Sequence, residues 1–88
     1  MRLDKYLKVS RLIKRRELAK EFIQKGFIFL NGNKAKPASD VKINDIIKII
    51  SPLGKVFIVK VKDIKPYIKA NEVDSLYEVI DGANKAEI

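Results

Sequence analysis

The dipeptide Asn31-Gly32 constrains the fold of this chain more than any other feature. It follows the apolar run at residues 27–30, and both of its residues accept the positive φ angles of a two-residue β-turn. It therefore predicts a β-hairpin over residues 27–35. Further strands are predicted at residues 46–50 and 55–62, joined by a turn at 51–54, and a last strand at 76–80 is possible.

Before the hairpin, apolar residues recur at helical spacing. A first helix is predicted from Arg2 to Lys8 and a second from about Arg15 to Lys25, with Gly26 as its C-terminal stop. Helices this short do not persist alone, so they must pack on the β-structure. The order of elements predicts a compact α+β domain.

Composition limits what this domain can do. The 88 residues contain no cysteine and no histidine, so disulfides, the usual zinc ligands and imidazole catalysis are excluded. Paired carboxylates, an activated nucleophile and a glycine-rich phosphate loop are not visible, so we expect no enzyme activity, no metal and no cofactor. No apolar run has the length of a signal peptide or a membrane span, which predicts a soluble, cytoplasmic protein.

The charge is concentrated at one end. The formal net charge is +8, and eight of the first twenty residues are Lys or Arg. A local excess of this kind favours a binding surface for a polyanion. The predicted RNA-binding residues are Arg2, Lys5, Lys8, Arg11, Lys14, Arg15, Arg16 and, beside the hairpin turn, Lys34.

The pair Arg15 and Arg16 falls at the start of the second predicted helix, where the helix dipole favours anions instead of cations. A bound phosphate would remove this penalty and could take bidentate contacts from either guanidinium. The alternative is an ordinary solvated helix face.

Three further residues have two interpretations each. Asp4 either pairs with a nearby cation or contacts a ribose hydroxyl. Tyr6 is either a core residue or a stacking surface for a base. Asn31 is mainly a turn residue, although the turn could also contact RNA. In each case the structural interpretation is the more frequent one.

Residues 1–50 resemble the RNA-binding domain named after ribosomal protein S4, also called the αL motif. The resemblance is carried by Arg2-Leu3-Asp4-Lys5-Tyr6-Leu7, Ser10-Arg11, Arg15-Arg16-Glu17-Leu18-Ala19, Ile23, Gly26, Ile28, Leu30-Asn31-Gly32, Ala35, Pro37, Val41 and Asp45-Ile46. It implies two N-terminal helices packed on a small, bent antiparallel sheet. We expect one such domain at residues 1–69, followed by an acidic segment at 70–88 that ends in a frayed tail from Asp81.

Over almost its whole length the chain is similar to the short RqcP-like factors of ribosome-associated quality control. That resemblance implies binding to rRNA of the large ribosomal subunit and to peptidyl-tRNA on stalled, split ribosomes. An RqcH-type partner would then add the C-terminal alanine tail, and Arg2 and Arg16 would be the leading RNA contacts. We expect a monomer. Asn44-Asp45 stands where many members have Gly-Asp, a change that Asn tolerates in a turn.

Four alternatives remain open at this point. The chain is more distantly similar to the heat-shock-type ribosome-binding recycling factors, and a general rRNA- and tRNA-binding adaptor would have the same composition. A basic module for anionic membrane surfaces is less favoured, because the apolar stripes are narrow. The acidic segment at 70–88 could instead contact a partner protein.

Overall fold

The computed structural model describes residues 1–82. Two helices precede a single five-stranded sheet in which all neighbouring strands are antiparallel, in the order β2-β1-β3-β4-β5. The α+β prediction with two N-terminal helices is therefore confirmed. The elements are α1 (Leu3–Val9), α2 (Arg16–Gln24), β1 (Ile28–Leu30), β2 (Asn33–Lys34), β3 (Ile46–Ile50), β4 (Val56–Val61), a 3₁₀ helix (Ala70–Ser75) and β5 (Tyr77–Asp81).

The hairpin between β1 and β2 has the predicted two-residue turn. Asn31 and Gly32 have φ angles of 51° and 84°, which is the left-handed conformation required by a type I′ turn. The Asn31 side chain also joins this turn to β3. Its Oδ1 accepts a hydrogen bond from the Ile46 N–H at 2.8 Å, and its Nδ2 donates to Asp45 Oδ1 at 3.1 Å. Asn44 has a φ of 77°, the conformation that a Gly would provide at this position.

Helix α2 ends in a Schellman motif centred on Gly26, whose φ is 82°. The Gly26 N–H donates to the Ile23 carbonyl and the Phe27 N–H donates to the Phe22 carbonyl. The rings of Phe22 and Phe27 meet edge to face with centroids 5.8 Å apart, which is the apolar contact that accompanies this motif. Gly26 thus ends the helix and directs the chain into β1.

The connector between the helices is sharply bent and well anchored. Arg11 has a φ of 60°, and its N–H donates to the Lys8 carbonyl. The next two side chains, Leu12 and Ile13, are buried in the core. The predicted break after α1 is therefore present, and it turns the chain so that the two helices can pack together.

The C-terminal segment differs from the sequence prediction in two ways. Residues 70–75, at the start of the predicted acidic segment, form a 3₁₀ helix that was not predicted, and its Val73 is buried. Asp81 was expected to begin a frayed tail, but it is the last residue of β5, which pairs with β4. The rest of that tail, residues 83–88, lies outside the described residues. The predicted boundary at residue 69 stays a prediction.

The Leu76 carbonyl links this segment to the first helix. It accepts hydrogen bonds from the Tyr6 hydroxyl at 2.7 Å and from the Lys62 N–H at 2.8 Å. Leu76 and Tyr6 are both fully buried in the one apolar core. The first helix is therefore fixed to the sheet through the residue that precedes the last strand as well as through the neighbouring helix.

Candidate nucleic-acid interface

A buried carboxylate brings the two leading arginines together. Asp4 is 0% exposed, and it accepts hydrogen bonds from Arg2 Nε at 3.3 Å, Arg2 Nη2 at 3.2 Å and the Lys5 N–H at 2.7 Å. Arg16 Nη2 lies 3.3 Å from Asp4 Oδ1, the oxygen that also accepts from Arg2 Nε and from the Lys5 N–H. We call these three side chains, Arg2, Asp4 and Arg16, the Asp4 cluster.

Both arginines of the Asp4 cluster remain accessible. The Arg2 side chain is 51% exposed and the Arg16 side chain is 40% exposed. Each guanidinium carries five N–H donors, of which Asp4 engages two from Arg2 and one from Arg16. Pairing with one carboxylate therefore holds the guanidiniums in place without using them up.

The charge of Asp4 is stabilised by its neighbours. Burial by itself raises the pKa of this carboxyl, but the hydrogen bonds from Arg2, from the Lys5 N–H and from Arg16 outweigh burial and hold the pKa below its ordinary value of 3.8. Asp4 is therefore ionised at neutral pH. One buried anion faces two cations, so the cluster keeps a net positive charge.

The two helix N-termini differ in what they offer an anion. At α1 the Leu3 N–H donates to the Ser39 carbonyl and the Asp4 N–H donates to the Pro37 carbonyl, so these donors are taken within the chain. At α2 no side chain caps the first turn, which begins at Arg15 and Arg16. The positive end of α2 is therefore the one that can meet a ligand.

A groove of about 460 Å³ runs between the two helices and the segment after β4. We call it the basic groove. Five of the predicted RNA-binding residues line it together, and Glu17 contributes the one carboxylate among its lining residues. Its walls are formed by Lys5, Lys8, Val9, Lys14, Arg15, Arg16, Glu17, Pro66 and Tyr67.

Two predicted residues lie beside this groove and one lies elsewhere. Arg2 adjoins it through the Asp4 cluster, and Arg11 lines a neighbouring depression together with Lys8. Lys34 instead lines a separate pocket of about 320 Å³ at the C-terminal end of α2, with Lys25 and Lys36. We call those three residues the lysine pocket.

Tyr6 and Asn31 have the structural roles that were considered for them. The Tyr6 ring is fully buried and its hydroxyl donates to Leu76, so it offers no face to a base. Burial, with smaller contributions from Tyr77 and Asp63, raises the pKa of the Tyr6 phenol. The Asn31 amide is hydrogen-bonded to the start of β3 through both of its polar atoms.

Sequence reasoning missed Tyr67. This residue is 86% exposed and its ring lies under the Lys5 ammonium, with Nζ 5.8 Å from the ring centroid. The available signal was a lone aromatic residue after Pro66 in a connector that also carries Lys65 and Lys69. No periodic pattern marks such a position, because the connector is irregular.

Two other observations concern the described part of the chain. Across residues 1–82, no helix has the length and apolar character needed to cross a bilayer. Within the same range, no group of three or more acidic side chains is arranged to hold a metal ion.

Comparison with known proteins agrees with this architecture. The S4 domain family model matches residues 1–47. The "RQC P-site tRNA stabilizing factor" of Streptococcus pneumoniae is 49% identical over 80 residues, covering 91% of this chain and 90% of that protein. The Bacillus subtilis protein of the same name is 48% identical over 81 residues, covering 91% of this chain and 92% of that protein.

A solved structure shares the fold. Heat Shock Protein 15 of Vibrio cholerae, described as trimeric, superposes with a TM-score of 0.81 at 31% sequence identity. The match covers 90% of this chain and 80% of that chain. The chain therefore belongs to the S4 domain family, in the group that contains the RQC P-site tRNA stabilizing factors.

Proposed function

We propose that this protein is a non-enzymatic RNA-binding factor of ribosome-associated quality control. In this proposal it binds rRNA of the large ribosomal subunit and a peptidyl-tRNA, and it stabilises that tRNA on stalled, split ribosomes. Meanwhile an RqcH-type partner adds a C-terminal alanine tail to the peptide that the tRNA carries. The protein acts in the cytoplasm, on the ribosome, and as a monomer.

The observation that carries this proposal is the Asp4 cluster. A fully buried carboxylate holds Arg2 and Arg16 next to each other while both remain about half exposed. Because the guanidiniums are already positioned, less side-chain entropy is lost when they bind a phosphate. Arginine also offers bidentate contacts to phosphate oxygens, which suits the backbone of a folded RNA.

The basic groove supports an adaptor that works by placement. Its cations line both helices, so they can contact phosphates of two RNA segments that approach from different sides. A protein that holds two RNAs raises the effective concentration of one at the other. Recognition would rest on the shape of an RNA junction and on its 2′-hydroxyl groups, since side chains cannot easily read base edges in an A-form helix.

The names of the relatives support the same function. Two relatives that match this chain over nine-tenths of its length are called P-site tRNA stabilizing factors. The heat-shock-type recycling factor is a second candidate, because the Vibrio cholerae protein has the same fold. Only the first name refers to a tRNA, so a binding experiment with and without tRNA tests that function directly.

The test is co-sedimentation with large ribosomal subunits that carry, or lack, a P-site tRNA. We expect tighter binding when the tRNA is present and release at high salt, because phosphate contacts are salt-dependent. Arg16→Ala should weaken binding about tenfold, since a charge-assisted hydrogen bond is lost. Lys42→Ala removes the same charge from an exposed residue outside the groove and should bind normally.

Two results would contradict the proposal. One is that Arg16→Ala is folded by circular dichroism and binds as tightly as the unaltered protein. That result would show that the Asp4 cluster is not part of the interface. Equal binding to subunits with and without tRNA would contradict a role in stabilising the tRNA.

A further inference from the structure

Tyr67 differs from every other aromatic residue of the chain. All seven aromatic residues lie in the described range, and six of them are buried or half-buried. Tyr67 alone is exposed, at 86%. An aromatic side chain left in water this fully gives up the burial that usually stabilises it, so its position needs another explanation.

The neighbours of Tyr67 are cations of the basic groove. The Lys5 ammonium lies 5.8 Å from the ring centroid, which is a cation–π geometry. Tyr67 lines the groove with Lys14 and Arg15, and it lines the adjoining depression with Arg11. The ring therefore stands where phosphate-binding side chains come together from both helices.

Leu53 provides a useful contrast. It is 80% exposed in the turn between β3 and β4, so it too is a large apolar side chain in water. It lines neither the basic groove nor the depression beside it. Exposure of an apolar group is ordinary on a protein surface, but exposure of an aromatic ring among phosphate-binding cations is the arrangement of a single-strand RNA site.

From this juxtaposition we propose that Tyr67 is a stacking surface for an unpaired nucleobase of the bound RNA, with Lys5 beside it to contact the adjacent phosphate. The inference rests on the proposed RNA-binding function and adds to it the part of the RNA that the groove recognises. A base-paired helix cannot present a free base face to Tyr67, so the contact selects a loop, a bulge or an end. The cations supply most of the affinity for RNA, and the Tyr67 ring supplies the preference for an unpaired base.

The test compares two ligands that differ only in their bases. One is a labelled oligouridine of about ten nucleotides, and the other is an abasic ribose-phosphate chain of the same length. The unaltered protein should bind the oligouridine at least about fivefold more tightly, because one base stacks on the ring. Tyr67→Ala should reduce this ratio to near one, because the stacking face is lost.

Two control variants make the result specific. Tyr67→Phe keeps a stacking face and should keep the ratio, whereas loss of the ratio in this variant would assign the effect to the hydroxyl and overturn the proposal. Leu53→Ala removes an equally exposed apolar side chain and should keep the ratio as well. Since Tyr67 is exposed, each variant should melt at the temperature of the unaltered protein.

The outcomes separate this inference from the proposed function. If the unaltered protein binds both ligands equally, or if Tyr67→Ala keeps the preference, the stacking role is wrong. Co-sedimentation with large subunits is scored independently in the same preparations. Normal co-sedimentation with an affinity ratio of one would therefore overturn the stacking role alone.

Discussion

The basic groove and the lysine pocket present cations at opposite ends of helix α2, but only one of them has a structural reason to do so. Lys25, Lys34 and Lys36 gather at the C-terminal end, where the helix dipole favours positive charge. Lys25 is also paired with Glu21 at 3.1 Å. These lysines stabilise the helix end, and no ligand is needed to explain them.

At the N-terminal end the same charge opposes the helix. Arg15 occupies the N-cap position without making a capping hydrogen bond, and Arg16 follows in the first turn. The chain places a buried carboxylate, Asp4, against Arg16 and leaves Arg15 exposed. This difference between the two ends is why we propose the N-terminal end as the binding site, since there the charge conflicts with the local structure.

The largest expected effect follows from removing the carboxylate that organises the groove. Asp4→Asn would leave two guanidiniums without their shared anion, and we expect a loss of about 2 kcal/mol in the free energy of unfolding. Binding to large subunits should fall as well, since Arg2 and Arg16 are no longer held together. Urea denaturation and co-sedimentation measure the two effects. A fully stable variant with normal binding would show that Asp4 does not organise the N-terminal end of α2.

Acid should produce a smaller version of the same loss. Because the pKa of Asp4 is lower in the folded state than its ordinary value of 3.8, the unfolded state binds the proton first as pH falls. The stabilisation is complete well above pH 3.8 and is lost as pH falls through the lower, folded-state value. Melting temperatures between pH 6 and pH 3 measure it.

The matched control is Asp4→Asn, which should show a shallower pH dependence. A residual slope is expected from Asp40, because its hydrogen bond from the terminal ammonium of Met1 also lowers a carboxyl pKa. Identical pH profiles for the unaltered protein and Asp4→Asn would show that the ion pairs of Asp4 do not contribute to the pH dependence of stability.

A direct comparison of the two ends uses one cation from each. Arg15→Ala should weaken RNA binding about tenfold by removing a phosphate contact, without disturbing the Asp4 cluster. Lys34→Ala should change the same affinity by less than about twofold. Affinities for a labelled tRNA at several salt concentrations measure both effects. The slope of log affinity against log salt concentration should become shallower by about one unit, equivalent to one phosphate contact, for Arg15→Ala only. An equal effect at the two ends would reverse our assignment of the lysine pocket.

The smallest expected effect concerns the helix end itself. Gly26→Ala forces a side chain into a φ of 82°, and we expect a cost of about 1 kcal/mol in stability. The added Cβ meets only the Lys34 side chain, with Cε at 3.6 Å, so no clash is expected. Binding to tRNA should be unchanged when the variant is measured well below its melting temperature. A marked loss of binding would show that the lysine pocket belongs to the interface.

Features set by local chemistry were predictable from the sequence. The turn at Asn31-Gly32 and the stop at Gly26 each depend on a residue that accepts a positive φ, and the structure has both. The helical spacing of apolar residues that predicted the first helix includes Leu3 and Leu7, one turn apart, and both are buried. Pairing with a nearby cation was the favoured of the two interpretations of Asp4, and the structure has that pairing.

Features that depend on distant segments were not predictable. Nothing local to Lys34 shows that it lies at the other end of α2 from the arginines, since that follows from the hairpin register. The position of Tyr67 is set by an irregular segment that packs near α1 after β4. No periodicity in the sequence predicts where such a segment packs. The 3₁₀ helix at Ala70–Ser75 buries Val73 in a core that is formed by residues distant in sequence.

The hydrogen bond from Tyr6 to the Leu76 carbonyl has a practical consequence for expression and crystallisation. A fragment truncated after residue 69 would retain every cation proposed to touch RNA, yet it would lack the main-chain oxygen that anchors the first helix. Such a minimal fragment would bind RNA weakly because its first helix is no longer anchored. Shortened versions of this protein should therefore keep the last strand intact.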